Sequence, residues 1–143
     1  MLCLRTLGVV AVLFAIFFSS GCSGRKSLTS DDVRSEVLSA NSYAAETEMF
    51  IDYARQGKPT RLFVQGHATQ LAEEVKRSQN ELDDATPQPG TQRAFQECKN
   101  ELDFLTRELP LIPQLIGNDA ALQSKRAEIE ISRERLASAS SLP

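Results

Sequence analysis

Seven positions near the start of the chain's mature-looking part constrain its fold most. Val33, Val37, Ala40, Ala44, Thr47, Ile51 and Ala54 recur at alternating steps of four and three, the spacing that stacks side chains along one stripe of an α-helix. A half-buried strand would need period two, and no stretch of the chain carries it. The ends of this helix are written as clearly as its face. Thr29 is a good N-cap, Asp32 three positions on completes a capping-box pattern, and Leu28 with Val33 can form the hydrophobic staple. Gly57 supplies a left-handed C-terminal residue and Pro59 blocks continuation. A first helix over about residues 30–56 follows, roughly 40 Å long at 1.5 Å per residue.

The same stripe repeats downstream. Pro59 is tolerated in a first helical turn, and Val64, Ala68, Leu71, Val75, Ser78, Leu82 and Ala85 again step by four and three. The short connection makes the first two helices an antiparallel hairpin. Pro87-Gln88-Pro89-Gly90 is the densest turn cluster in the chain. After it Thr91 can cap a third helix with the stripe Phe95, Cys98, Leu102, Leu105 and Leu109, ended by Pro110 and Pro113. Asn118 or Asp119 can cap a fourth, through about Ala137. Its apolar positions are only Leu122, Ile129 and Leu136, with Lys125 and Ser132 between them. So narrow a seam predicts shallow packing, early fraying or a search for a partner surface, with Arg126, Glu128, Glu130, Arg133 and Glu134 in water. The apolar run Leu111, Ile112, Leu115 and Ile116 must tuck under the bundle end or leave an exposed patch.

These elements predict an all-α fold, an antiparallel up-down bundle of three strong helices and a weaker fourth. Composition bounds it to one domain. Beyond residue 21 the chain has four Phe, two Tyr and no Trp, a lean core for one small domain and too little for two. That part carries 15 basic against 19 acidic groups, which gives no electrostatic footprint for nucleic acid.

The first 22 residues read differently. A start carrying Arg5, an uninterrupted apolar run from Leu7 to Phe18 and the small residues Ser19, Ser20 and Gly21 form the three parts of a secretory signal. The run is short for a membrane span, although the uncharged stretch between Arg5 and Arg25 keeps a span as the competing reading. Ser20-Gly21-Cys22 behind the apolar run resembles the lipobox of bacterial lipoproteins. That resemblance implies cleavage before Cys22, a diacylglyceryl thioether on Cys22 and an acylated new N-terminus, with palmitate among the chains. Ser23, following the cysteine, is similar to the non-Asp residue that favours the outer membrane in Gram-negative cells. The expected organisation is then a signal over 1–21, a lipidated cysteine and tether over 22–28, a bundle over 29–138 and a frayed tail over 139–143. An ordinary small residue beside a secretory cleavage site is the alternative for Cys22.

Reactive constellations are missing from the sequence. His67 is the one histidine, with no Glu three residues before it, so the paired Glu-x-x-His units of a di-metal bundle cannot form. No Cys-x-x-Cys-His, Gly-rich phosphate loop or Gly-x-Ser-x-Gly elbow is present. His67 reads as a boundary residue with one ring edge buried, and a single axial ligand or a pH-responsive contact is its functional alternative. Cys98, on the core stripe, reads as a buried inert thiol. Glu73, Glu74, Glu81, Asp83 and Asp84 read as a solvated face, with Glu73 and Arg77 spaced for a helical ion pair. The expectation is a non-catalytic protein without a cofactor, lipid-anchored in the bacterial envelope and facing the periplasm, that binds a protein partner or itself. A small-ligand or cofactor-binding bundle using His67 is the competing expectation.

Overall fold

In a computed structural model, residues 25–141 are described. The expected signal, Cys22 and the last two positions lie outside the described residues. The chain runs β1 (Lys26–Leu28), α1 (Ser30–Arg55), α2 (Arg61–Asp83), β2 (Ala85–Pro87), α3 (Gln92–Glu108), a 3-10 segment (Leu109–Leu115) and α4 (Asp119–Ser140). An all-α bundle is therefore the architecture, with a two-stranded parallel ribbon at one end.

The capping box forms as spaced. The Asp32 N–H donates to Thr29 Oγ1 at 3.2 Å and the Thr29 N–H donates to Asp32 Oδ2 at 2.8 Å. The Thr29 hydroxyl, then its backbone N–H, holds the Asp32 carboxyl below its ordinary range. Leu28 and Val33 are both 2% exposed, and Gly57 takes φ +66° where α1 ends, a conformation costly for any residue with a Cβ.

Other boundaries differ from the spacing. Thr60 caps α2 by accepting from the Phe63 N–H at 3.2 Å, so Pro59 precedes the cap instead of entering the first turn. Ala85 leaves the helical stripe for β2, where it pairs with Lys26, while Leu28 pairs with Pro87. Part of the expected tether is thus a strand that ties the entry of α1 to the exit of α2. Three-residue strands carry too little period-two signal to be seen in sequence. Thr91 uses its hydroxyl to donate to the Gln88 carbonyl at 2.9 Å, closing the preceding turn and leaving α3 without a side-chain cap. Past the expected tail boundary, α4 continues to Ser140 because Ala139 is buried in the core.

The largest departure concerns α4. It is not shallow: α1 makes its longest close approach with α4. Leu122, Ile129 and Leu136 are at most 2% exposed, and Ser132 joins them at 1%. Alongside them α1 buries the small side chains Ala40, Ala44 and Thr47, and α4 buries Ser132, residue types that allow close helix approach. Nor are the charges of α4 simply in water. Arg126 pairs with Asp52 at 3.0 Å, Arg133 with Glu48 at 2.7 Å and Asp119 with Arg55 at 2.8 Å, all across to α1.

α3 lies on the diagonal, in contact with each of the other helices. The 3-10 segment buries Leu109 and Ile112 completely, packs Leu115 and Ile116 partly, and leaves Leu111 exposed. α1 and α2, though consecutive, touch sparingly.

Ile129→Glu places an unpaired carboxylate in a fully buried site, a cost of several kcal/mol against a total stability of about 5–15 kcal/mol. Far-ultraviolet circular dichroism should show its melting cooperative transition lost or far below that of wild type. Ile131→Glu, at a position 49% exposed, should melt as wild type; equal melting of both variants would contradict the buried α4 seam.

Candidate functional site

His67 projects from the first half of α2 toward α1, and the residues around it are aromatic. Its ring lies 6.0 Å from that of Phe63 with nearly parallel planes, and 4.7 Å from Phe50 in an edge-on arrangement. Tyr53 meets Phe63 edge-on at 5.8 Å. Nε2 stands 3.6 Å from Glu46 Oε1. The imidazole is therefore a packed boundary group, as its spacing implied, and it faces a carboxylate that the spacing did not indicate.

Around this cluster the hairpin end exposes apolar surface. Met49 is 73% exposed, Leu62 78%, Phe63 50% and Tyr53 42%. Met49 and Tyr53 share one face of α1, a single turn apart, and Tyr53 reaches Phe63 across the hairpin. Leu38, Leu111 and Ile131 are exposed singly elsewhere, which is ordinary for a protein surface. Met49, Tyr53 and Phe63, linked by the Tyr53–Phe63 contact, make a larger exposed patch at this tip, with Leu62 exposed next in sequence.

A second feature lies on the other flank of α2. An open groove of about 890 Å³ runs between α2 and the 3-10 segment. Its floor is Ala68 and Ala72, whose small side chains leave the space, and its far wall is Pro110 and Pro113. Arg61, Lys76 and Arg77 line it, with Glu73 as its one carboxylate. Glu73 and Arg77 do not pair with each other, contrary to their spacing; among the described residues no carboxylate pairs with Arg61, Lys76 or Arg77. The groove could have been suspected from Arg61, Gln65, Ala68, Ala72, Lys76 and Asn80, which form a second stripe at helical spacing. Its opposite wall could not, because the 3-10 path of the proline segment is set by packing of Leu109 and Ile112.

The remaining candidates are quiet. Glu36, Glu74 and Glu81 flank a smaller cleft between α1 and α2 with Tyr43 and Arg77; burial first, then Glu81, raises the Glu36 carboxyl above its ordinary range. Among the described residues no three His, Cys, Asp or Glu gather as metal ligands, and no helix is long and apolar enough to cross a membrane. No known protein family, curated protein or solved structure matches the chain.

Cys98 is fully buried on α3, and burial, with a smaller push from Glu36, raises its thiol from 9.0 to about 12. A thiol so placed stays protonated and unreactive. Because the folded value is raised, its contribution to stability is whole below pH 9.0 and is lost as pH climbs toward about 12. Tyr43, also pushed up by burial, adds to the same alkaline loss. Urea titrations should therefore show the stability gap between wild type and Cys98→Ala narrowing over that window. A constant gap, or alkylation of the native thiol at pH 8 as fast as in urea, would contradict the assignment.

Proposed function

We propose that the protein is a non-catalytic, lipid-anchored module of the bacterial envelope that presents the hairpin tip of α1 and α2 to a protein partner. The observation that carries this reading is the exposed cluster of Met49, Tyr53, Leu62 and Phe63 on an otherwise well-buried bundle. The anchor half of the proposal rests on Ser20-Gly21-Cys22 at the end of an apolar run.

The two halves fit each other mechanically. Cys22 and Lys26 are four residues apart, a span of at most about 14 Å, so acyl chains on Cys22 would hold the β1–β2 end of the bundle close to the bilayer. Two or more chains are needed for stable attachment, since one gives only marginal binding. α1 has 26 residues and rises about 39 Å away from that end. The tip would thus stand well clear of the headgroups, within reach of a partner in the periplasm. Aromatic side chains suit such a role, because they bring large contact area at a small entropic cost. Localisation to the outer membrane follows from Ser23 if the cell is Gram-negative.

The competing reading, a cofactor-binding bundle built on His67, has less support. The His67 Nε2 faces Glu46, and the groove between α2 and the 3-10 segment is lined by other residues.

Labelled palmitate should enter the wild-type chain in intact cells and be absent from Cys22→Ala. A photoreactive amino acid at position 63 or 49 should give one discrete crosslinked product in the membrane fraction, while the same probe at exposed Arg34 should give none. Unchanged labelling in Cys22→Ala would remove the anchor, and equal crosslinking from positions 63 and 34 would remove the docking tip.

A further inference from the structure

The α2 groove is used by neither half of that proposal. We infer that it is a binding cleft for an extended peptide segment with two acidic side chains flanking small apolar residues. Four observations on the groove converge on this occupant.

Charge is the first. Every lysine and arginine of α4 is engaged: Lys125 with Glu108 and Glu128, Arg126 with Asp52, Arg133 with Glu48 and Arg135 with Glu101. Every lysine and arginine of α2 is left without a carboxylate among the described residues, and all three line this groove. In a chain of net charge −3 with so many carboxylates at hand, the unpaired Arg61 and Lys76, with Arg77 shared between this groove and the cleft of Glu36, Glu74 and Glu81, make a local surface complementary to an anion.

Spacing is the second. Arg61 lies one end of the groove and Lys76 toward the other, fifteen residues apart on α2, or roughly 22 Å along the axis. An extended chain covers that distance in about seven residues at ~3.3 Å each. Glu73 lies one turn from Lys76 on α2, where Lys76 and Arg77 outnumber it, so both ends of the groove keep a net positive charge for an acidic side chain.

The third is the floor. Ala68 and Ala72 leave room for small apolar side chains and for a backbone, and the facing Pro110 and Pro113 offer a flat apolar wall with no N–H of their own. The fourth is the rim, where Gln65, Asn80 and Gln114 supply side-chain amides that both donate to and accept from peptide groups. A compact ligand would use one end of so long and open a cleft; an extended acidic segment uses both ends and the floor.

The test uses the full-length chain in a nonionic detergent and a fluorescein-labelled, acetylated and amidated heptapeptide, with glutamate at both ends and alanine and proline between. Fluorescence anisotropy should show saturable binding that weakens with salt. Replacing both terminal glutamates with glutamine should weaken it at least tenfold. Arg61→Gln and Lys76→Gln should each weaken it about tenfold, the scale of one lost charge-assisted contact. Ala72→Phe, which fills the floor and leaves every charge in place, should abolish binding with the circular dichroism spectrum unchanged. Equal affinity for the glutamate and glutamine peptides would overturn the proposal, as would indifference to Ala72→Phe. Absence of saturable binding, with phosphatidylglycerol vesicles retained instead through Arg61 and Lys76, would assign the cations to a membrane and overturn it equally. None of these outcomes depends on position 63, so the fate of the docking tip is read separately.

Discussion

One carboxylate organises the bundle. Glu48 projects from the C-terminal half of α1 into the seam with α4, where it is 6% exposed. Taking a carboxylate out of water is costly unless partners are placed for it. Arg133 reaches it at 2.7 Å and Arg126 at 3.7 Å, both from α4. These arginines keep much of their own solvent contact, so their stems cover apolar surface while their heads stay at the rim. The pairing ties the two helices together, and its neighbours mark the register: sliding α4 by one turn would separate Asp119 from Arg55 and Arg126 from Asp52. Small residues allow the two backbones to close, and the ion pairs decide where along their length they do so. Ser132, buried with a hydroxyl that makes no hydrogen bond, contributes to the seam by its size.

Once α1 and α4 are joined this closely and α3 fills the diagonal, α2 becomes the helix with the fewest obligations. Its core stripe is fully used, but its two flanks are not. On one flank, Phe63 and His67 pack against Phe50 and Tyr53, and apolar side chains stay exposed at the tip. On the other flank, the 3-10 segment stands off from Ala68 and Ala72 and leaves the groove. Both candidate interaction surfaces therefore follow from the same packing decision. Meanwhile the β1–β2 ribbon fixes the opposite end, where Lys26 and the exit of α2 are hydrogen-bonded to each other.

Local sequence announces most of this fold and misjudges how its parts combine. The stripes of α1 and α3 are buried residue for residue, and the Thr29–Asp32 cap forms as spaced, because these depend on neighbours within a few positions. The strength of α4 was illegible for the opposite reason. A sparse apolar stripe reads as weak when bulk is the measure, whereas this seam is made by small residues whose value appears only when another helix with small residues faces them. Glu48 could not be read either, since a mid-helix glutamate is normally solvated and its partners lie far along the chain. Of the site, His67 was legible as a boundary histidine from Val64, Ala68 and Leu71 around it. The groove's cations were visible, but their isolation from carboxylates is a fact of the tertiary structure alone.

Native-state hydrogen exchange resolved by residue tests the organising seam most directly. If α4 is locked to α1 through Glu48, amides of residues 119–140 should open together with those of 30–55 in one cooperative step, at the free energy of global unfolding. Glu48→Ala should lower the protection of both helices in parallel. Exchange of residues 119–140 at a distinctly lower free energy than α1, or a Glu48→Ala effect confined to α1, would contradict the account.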